Sequence, residues 1–183
     1  MSSEPFKIVA FGDSLTAGYG VAIEDSYPSI LQNRLREKNP LIEVVNMGIS
    51  GETTTQGLER VQSVIDAKPN LVLVELGAND MPRSVPTETI RSNLDSILQK
   101  FKEADINVVL LGMRSFPHNN ATYRNEFADI YTDLAKKHNT PLVPFFLDGV
   151  ALNASLNIPD RLHPNAEGYI KIVDENILPV LQF

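Results

Sequence analysis

The sequence predicts an α/β fold, a three-layer α/β/α sandwich in which helices cover both faces of a parallel β-sheet. Two observations support this prediction. Five continuous apolar runs have the length of buried strands, and longer segments with apolar residues at helical spacing alternate with them. Such alternation is typical of a mostly parallel sheet with helices on both sides. The length of 183 residues, without repeats or linkers, predicts one domain spanning residues 1–183.

The five predicted strands are the apolar runs 6–11, 42–46, 71–76, 106–112 and 142–145. Between them, apolar residues recur every three or four positions, as expected for helices that bury one face. The longest stripe consists of Ile90, Leu94, Ile97, Leu98 and Phe101, and the last helix is expected over residues 166–178. Five strands connected in this way favour the flavodoxin-like order 2-1-3-4-5. That order places a ligand crevice at the carboxyl ends of strands 1 and 3.

Composition excludes several classes of function. The chain has 16 basic and 23 acidic residues, a net charge of −7, which argues against a nucleic-acid partner. It has no cysteine, so disulfides, zinc thiolates and a cysteine nucleophile are excluded. No apolar run is long enough for a transmembrane helix. The first residues do not have the pattern of a signal peptide, which predicts a cytoplasmic protein. The alternative is a periplasmic or secreted protein whose signal peptide is missing from this sequence. The sequence leaves the oligomeric state open.

Residues that could take part in catalysis follow four of the five predicted strands. Ser14 follows the first strand, Gly51 the second and Asn79 the third, and Asp160 and His163 end the loop after the fifth. The carboxyl ends of parallel strands meet at one edge of the sheet, so these residues are expected to converge. A hydroxyl, an acid–imidazole pair and amide donors are the components of a nucleophilic hydrolase.

Each of these residues also has an ordinary structural explanation. Ser14 could cap a helix, Asn79 could sit in a turn, and Gly51 could serve only a positive φ. For Asp160 and His163 the structural explanation is weaker. A separation of three residues brings the carboxylate within reach of the imidazole Nδ1. His118 and His138, by contrast, have no acid placed in this way.

Four sequence blocks, in order, resemble those of the SGNH or GDSL hydrolases: FGDSLTAGYG, NMGISGETTTQGL, VLVELGANDMPR and DRLHPN. The resemblance implies that Ser14 is the nucleophile and that Asp160 and His163 complete a catalytic triad. It also implies that Gly51 and Asn79 contribute to the oxyanion hole. Within the family, the chain is most similar to a bacterial group of multifunctional thioesterases, arylesterases and lysophospholipases, through stretches such as PLVPFFLDGVAL.

The expected chemistry is hydrolysis of a small-molecule ester or thioester through an acyl-enzyme on Ser14. His163 is the expected base, because a serine hydroxyl is a poor nucleophile until a base takes its proton. Asp160 would hold the imidazole tautomer. The backbone N–H groups of Ser14 and Gly51 and the amide of Asn79 would stabilise the oxyanion. No metal and no organic cofactor are required.

The loop 113–120 after the fourth strand is expected to border the same edge of the sheet. It presents three apolar residues, Met113, Phe116 and Pro117, which could line an acyl site or simply pack on the domain. The loop departs from the group at Ser115 and Phe116, where an aliphatic residue or a proline pair is more usual. Substrate preference is therefore the property that the resemblance specifies least.

Three alternatives are left open by the sequence. The first is a carbohydrate acetylesterase of the same family, and the second is a carbohydrate-binding relative without activity. The third is a flavodoxin-like module that binds flavin mononucleotide, with the stretch DSLTAGYG around the phosphate. That module would leave Asn79, Asp160 and His163 without a role.

Overall fold

The computed structural model of the chain describes residues 5–181. Its core is one parallel sheet with the strand order β2-β1-β3-β4-β5. This result confirms the predicted fold class and strand order. The strands are β1 (Phe6–Gly12), β2 (Ile42–Gly48), β3 (Leu71–Glu75), β4 (Asn107–Leu111) and β5 (Leu142–Val143).

Six α-helices surround the sheet within the described residues. Helices α3, α4 and α5 pack side by side in one layer, and α2 packs against α6 in the other. The last predicted helix begins as expected but changes into a π-helical turn over Ile172–Ile177, which the sequence does not predict. The helices are α1 (Ser14–Ala17), α2 (Tyr27–Arg36), α3 (Thr54–Asp66), α4 (Thr87–Glu103), α5 (Ala121–His138) and α6 (Ala166–Lys171).

The apolar runs and stripes form the core. Every residue of β3 is buried, as are the last five residues of β1, which explains why these strands are continuously apolar rather than alternating. The predicted stripe of α4 is buried along its whole length. Strand β5 is shorter than its apolar run, because Pro144 follows it and has no N–H for the sheet ladder.

The strand register aligns three carboxyl ends beside one another. Gly12 at the end of β1 pairs with Gly48 of β2 on one side and with Glu75 of β3 on the other. Only glycine fits at position 12, since a Cβ there would lie 2.2 Å from Thr16 Oγ1 and 2.4 Å from the carbonyl oxygen of Glu75. The three loops that carry the candidate residues therefore start from the same edge.

Among residues 5–181, no helix has the length and apolar character needed to cross a membrane.

Candidate active site

The serine, histidine and aspartate predicted from the sequence form one hydrogen-bonded chain. Ser14 Oγ lies 2.9 Å from His163 Nε2, and His163 Nδ1 lies 2.6 Å from Asp160 Oδ2. These are the contacts that allow an imidazole to take the hydroxyl proton while a carboxylate holds its orientation. The fold brings the three side chains together although Ser14 is 149 residues from His163 in the sequence.

A tight turn fixes the carboxylate of this chain. Asp160 Oδ1 accepts hydrogen bonds from the backbone N–H groups of Leu162, at 2.9 Å, and of His163, at 3.0 Å. Partial burial alone would raise the pKa of Asp160. The hydrogen bonds from these N–H groups and from the imidazole outweigh burial and lower the pKa of Asp160 below its usual value. The carboxylate therefore stays ionised and can hold Nδ1 in its protonated form.

Ser14 is not the residue that caps its helix. It is the first residue of α1, and the cap is Asp13, whose Oδ1 accepts a hydrogen bond from Leu15 N–H at 3.0 Å. The structural explanation of Ser14 as an N-cap is therefore wrong. Because Asp13 satisfies the helix end, the hydroxyl of Ser14 is available to His163.

Of the two residues expected in the oxyanion hole, Asn79 lines the cavity and contacts Asp13, whereas Gly51 is not among the cavity-lining residues in the part of the chain that the structure describes. Gly51 has φ of +83°, and within residues 5–181 its N–H has no acceptor. Asn79 lines the cavity beside Ser14, and its Nδ2 donates to Asp13 Oδ2 at 2.9 Å and to the carbonyl of Glu52 at 3.1 Å. Both amide protons of Asn79 thus have protein acceptors in the free enzyme, so an oxyanion has to compete with one of them.

Two buried carboxyl groups, those of Asp13 and Glu75, support the nucleophile loop, the segment from Gly12 to Ser14. Glu75 was not identified from the sequence. Glu75 Oε2 accepts a hydrogen bond from Thr16 Oγ1 at 2.9 Å and lies 3.4 Å from the N–H of Asp13, whereas Oε1 has no partner within residues 5–181. Burial raises the pKa of Glu75 well above its usual value and the pKa of Asp13 to about 6. The available signal was an acid inside the apolar run LVLVELG.

A second group that was not identified from the sequence holds the loop of Gly51. Arg60 donates to both carboxylate oxygens of Glu52 at 2.6 Å, to the carbonyl of Met47 at 2.8 Å and to that of Gly12 at 3.3 Å. It therefore links the ends of β1 and β2 to the loop that carries Gly51. Glu52 precedes the N-cap of α3 and Arg60 lies within that helix, so the pair does not have the spacing of an ordinary helical ion pair and the sequence contained no signal for it.

A cavity of about 310 Å³ opens beside Ser14 and His163. Met113, Phe116 and Pro117 all line it, so the loop after β4 borders the site as expected. Met113 is buried, and the ring of Phe116 stacks on His118 with 5.4 Å between centroids. Further apolar residues complete the lining, namely Leu15, Ala78, Met81, Pro82, Phe145, Leu147, Ala151, Leu152 and Leu162.

His138 has no acid three residues away, as the sequence indicated, but it pairs with an acid on a neighbouring helix. His138 Nε2 lies 2.6 Å from Asp95 Oδ1, in a pair that joins α5 to α4. Lys137 Nζ lies 2.7 Å from the other oxygen of the same carboxylate. The partner is 43 residues away on a neighbouring helix, so sequence spacing could not indicate it. This pair lies within the helical layer and not among the loops at the carboxyl edge.

The geometry defines a serine hydrolase whose nucleophile follows the first strand of a parallel sheet. Residues 10–170 match the GDSL-like lipase/acylhydrolase family, and the chain belongs to this family. It is therefore an SGNH-type serine esterase, as its sequence blocks predicted. The family assignment and the hydrogen-bonded triad together argue against the alternative of a module that binds flavin mononucleotide.

The chain is similar over most of its length to several esterases and thioesterases. An arylesterase from Vibrio mimicus is 41% identical over 162 residues, 88% of this chain and 81% of that protein. A thioesterase 1/protease 1/lysophospholipase L1 from Escherichia coli K12 is 35% identical over 168 residues, 91% and 79% of the two chains. The crystal structure of TesA superposes with a TM-score of 0.91 at 33% identity, covering 96% of this chain and 98% of the other.

Proposed function

We propose that this esterase hydrolyses short- and medium-chain carboxylic esters and acyl thioesters through an acyl-enzyme on Ser14. The observation that supports the proposal is the hydrogen-bonded chain from Ser14 through His163 to Asp160 beside an apolar cavity. The relatives named arylesterase and thioesterase are consistent with both kinds of leaving group.

In the acylation step, Ser14 Oγ attacks the carbonyl carbon while His163 Nε2 takes its proton. The tetrahedral intermediate then collapses, and the bond to the leaving oxygen or sulfur breaks. The imidazolium returns the proton to that leaving group. In deacylation the same imidazole takes a proton from water, which attacks the acyl-enzyme and releases the acid and Ser14. The ionised carboxylate of Asp160 stabilises the imidazolium in both steps.

The oxyanion is stabilised by N–H donors from the segments that follow β1, β2 and β3. Gly51 N–H and Ser14 N–H are backbone donors in the loops after β2 and β1, and Asn79 supplies a side-chain amide. The amide of Asn79 is held by Asp13 and Glu52 before the substrate arrives. We propose that one of these hydrogen bonds is exchanged for the developing oxyanion, which is a stronger acceptor than the ground-state carbonyl.

The acyl chain is proposed to occupy the cavity lined by Met113, Phe116 and Pro117. A wall of this kind contributes about 0.8 kcal/mol per buried CH₂, so activity should change gradually with chain length. The mainly apolar lining favours an acyl chain over an acetylated carbohydrate, whose hydroxyl groups would need polar partners.

The test is a series of p-nitrophenyl esters from acetyl to dodecanoyl, together with acyl-CoA thioesters of the same lengths. We expect turnover of both series, with an optimum between acetyl and octanoyl. The Ser14→Ala variant is the control and should lose turnover of every substrate. Absence of thioester turnover would remove that part of the proposal, and a sharp preference for acetyl alone would favour the carbohydrate acetylesterase.

A substitution in the loop after β4 tests the location of the acyl site. Replacing the ring in Phe116→Ala should deepen the cavity and raise the ratio of kcat/KM for octanoyl over acetyl p-nitrophenyl ester. We expect a change of roughly four- to fifteen-fold, the equivalent of one or two buried CH₂ groups. Leu41→Ala, which removes an exposed apolar side chain elsewhere, is the matched control. An unchanged ratio in Phe116→Ala would show that Phe116 only packs on the domain.

A further inference from the structure

The arginines of this chain fall into two groups. The sequence has eight of them, and all lie within the described residues. Six donate hydrogen bonds to carboxylate or backbone oxygens. The guanidinium groups of Arg114 and Arg161 donate none within residues 5–181, and both residues line the cavity beside Ser14. Unpaired guanidinium groups therefore coincide with the substrate site.

No acidic side chain of the described residues lines the cavity around these two arginines. The part of the chain that the structure describes contributes no Asp and no Glu to the cavity lining, although acidic residues outnumber basic ones by 23 to 16. The guanidinium of Arg114 stacks over the ring of Phe145, 4.9 Å from its centroid. That contact holds the charge against the apolar wall without neutralising it.

Arg161 also sits in an unfavourable backbone conformation. Its φ is +60°, in the left-handed region where glycine is preferred, and it lies in the turn between Asp160 and His163. This conformation belongs to the tight turn in which Asp160 accepts hydrogen bonds from the N–H groups of Leu162 and His163, and five other non-glycine residues of the described chain also have a positive φ. The guanidinium of Arg161 is exposed at the cavity and has no hydrogen-bond acceptor within residues 5–181, so it is available to a ligand.

We propose that Arg114 and Arg161 bind an anionic group at the far end of the acyl chain, so that the enzyme accepts acyl groups derived from dicarboxylic acids. This inference rests on the proposed function, because it assumes that the cavity holds the acyl chain. The carboxylate would pair with the guanidinium groups while the methylene segment contacts the apolar wall.

The acyl side of the substrate, rather than the leaving group, carries this anion because of where Arg114 lies. Arg114 belongs to the same loop as Met113 and Phe116, and the ring it covers, Phe145, is another wall of the cavity. An anionic leaving group is the competing possibility, and the experiment separates the two.

The experiment compares two pairs of substrates that differ only in charge. The first pair is the mono-p-nitrophenyl ester of suberic acid and its uncharged half-amide, which place the anion on the acyl chain. The second pair is 4-carboxyphenyl octanoate and 4-carbamoylphenyl octanoate, which place it on the leaving group. The ratio of kcat/KM, anion over neutral, is measured for each pair in the wild type and in Arg114→Gln, Arg161→Gln and the double variant.

In the wild type we expect kcat/KM for the suberic acid ester to be roughly three to ten times that for its half-amide at low ionic strength. This suberate ratio should fall when salt is added. Each single variant should lower the ratio, and the double variant should bring it to one or below. Arg91→Gln, which breaks an exposed pair with Asp133 on α5, is the control and should leave the ratio unchanged. Circular dichroism of each variant checks that it is folded.

Two outcomes would overturn the inference. A suberate ratio at or below one in the wild type would show that the cavity does not select an anionic acyl chain. A preference seen only with the carboxyphenyl pair would place the anion on the leaving group. In both cases turnover of the neutral octanoate that depends on Ser14 would leave the proposed esterase function standing, whereas failure of the esterase function would abolish turnover of every substrate.

Discussion

At the scale of single residues, Asp13 explains why the nucleophile loop needs an acid before its serine. One carboxylate oxygen caps α1 through Leu15 N–H, and the other accepts a hydrogen bond from the Asn79 amide. The nucleophile and the candidate oxyanion donor are thereby oriented by the same side chain.

Removal of the Asn79 amide tests the oxyanion hole separately from the triad. We expect Asn79→Ala to lower kcat by roughly 10²–10³, about 2.7–4 kcal/mol, with little change in KM. The physical reason is that the amide binds the charge that develops in the transition state more strongly than the ground-state carbonyl. The measurement is steady-state kinetics on p-nitrophenyl butyrate.

The control for this variant is its folding, because loss of the amide leaves the Asp13 carboxylate without one of its donors. A thermal melt identifies a loss of stability and separates it from a loss of catalysis. An increase in KM alone, with kcat preserved, would show that Asn79 only helps to hold the substrate.

At the scale of elements, Glu75 marks the carboxyl end of β3 and makes the stability of the sheet depend on pH. In the unfolded chain this carboxyl has an ordinary pKa near 4.5, whereas burial raises it well above that value in the fold. Between the two pKa values the folded protein holds a proton that the unfolded chain has released. The free energy of unfolding should therefore fall as pH rises through this interval.

The variant Glu75→Gln tests this contribution, because glutamine resembles the protonated carboxyl and cannot ionise. We expect the stability of the variant relative to the wild type to increase between pH 5 and pH 8, by at most about 1.4 kcal/mol per pH unit. Asp13 lies against Glu75 and has a pKa of about 6, in the same range, so the difference reports the titration of this pair of carboxyl groups. Urea denaturation across this range gives the difference, and a difference that does not vary with pH would show that Glu75 is ionised in the fold.

Elements were predictable where a local pattern determines them. Continuous apolar runs identify strands that are buried on both faces, and the stripe from Ile90 to Phe101 identifies the buried face of α4. The π-helical turn over Ile172–Ile177 was not predictable, because its apolar spacing suits an ordinary helix as well. Strand β5 ended early because Pro144 removes a donor, a signal that was present in the sequence.

At the scale of the whole molecule, the sheet order brings together loops that lie far apart in the sequence. The motifs identified Ser14, Asn79, Asp160 and His163, because family blocks are local in sequence. The contacts of Arg60 and the pair of His138 with Asp95 were missed, because each depends on which loops and helices become neighbours. The family blocks predicted the partners within the triad, whereas contacts between residues outside those blocks could not be predicted from the sequence.

One continuous core predicts that the chain unfolds as a single unit. The buried residues of both helical layers contact the same sheet. We therefore expect one urea transition in which far-ultraviolet circular dichroism, tyrosine fluorescence and esterase activity change together. Loss of activity well before loss of secondary structure would show that the loops at the carboxyl edge unfold separately from the sheet.

The most direct measurement of the central claim is the site at which a fluorophosphonate reacts with the folded enzyme. The reagent forms a covalent adduct with a serine that an imidazole has activated, so peptide mass spectrometry reports the nucleophile itself. We expect one adduct per chain, on the peptide that contains Ser14, with no labelling of Ser14→Ala and much slower labelling of His163→Ala. An adduct on a different serine, or undiminished ester turnover by folded Ser14→Ala, would contradict the assignment of Ser14 as the nucleophile.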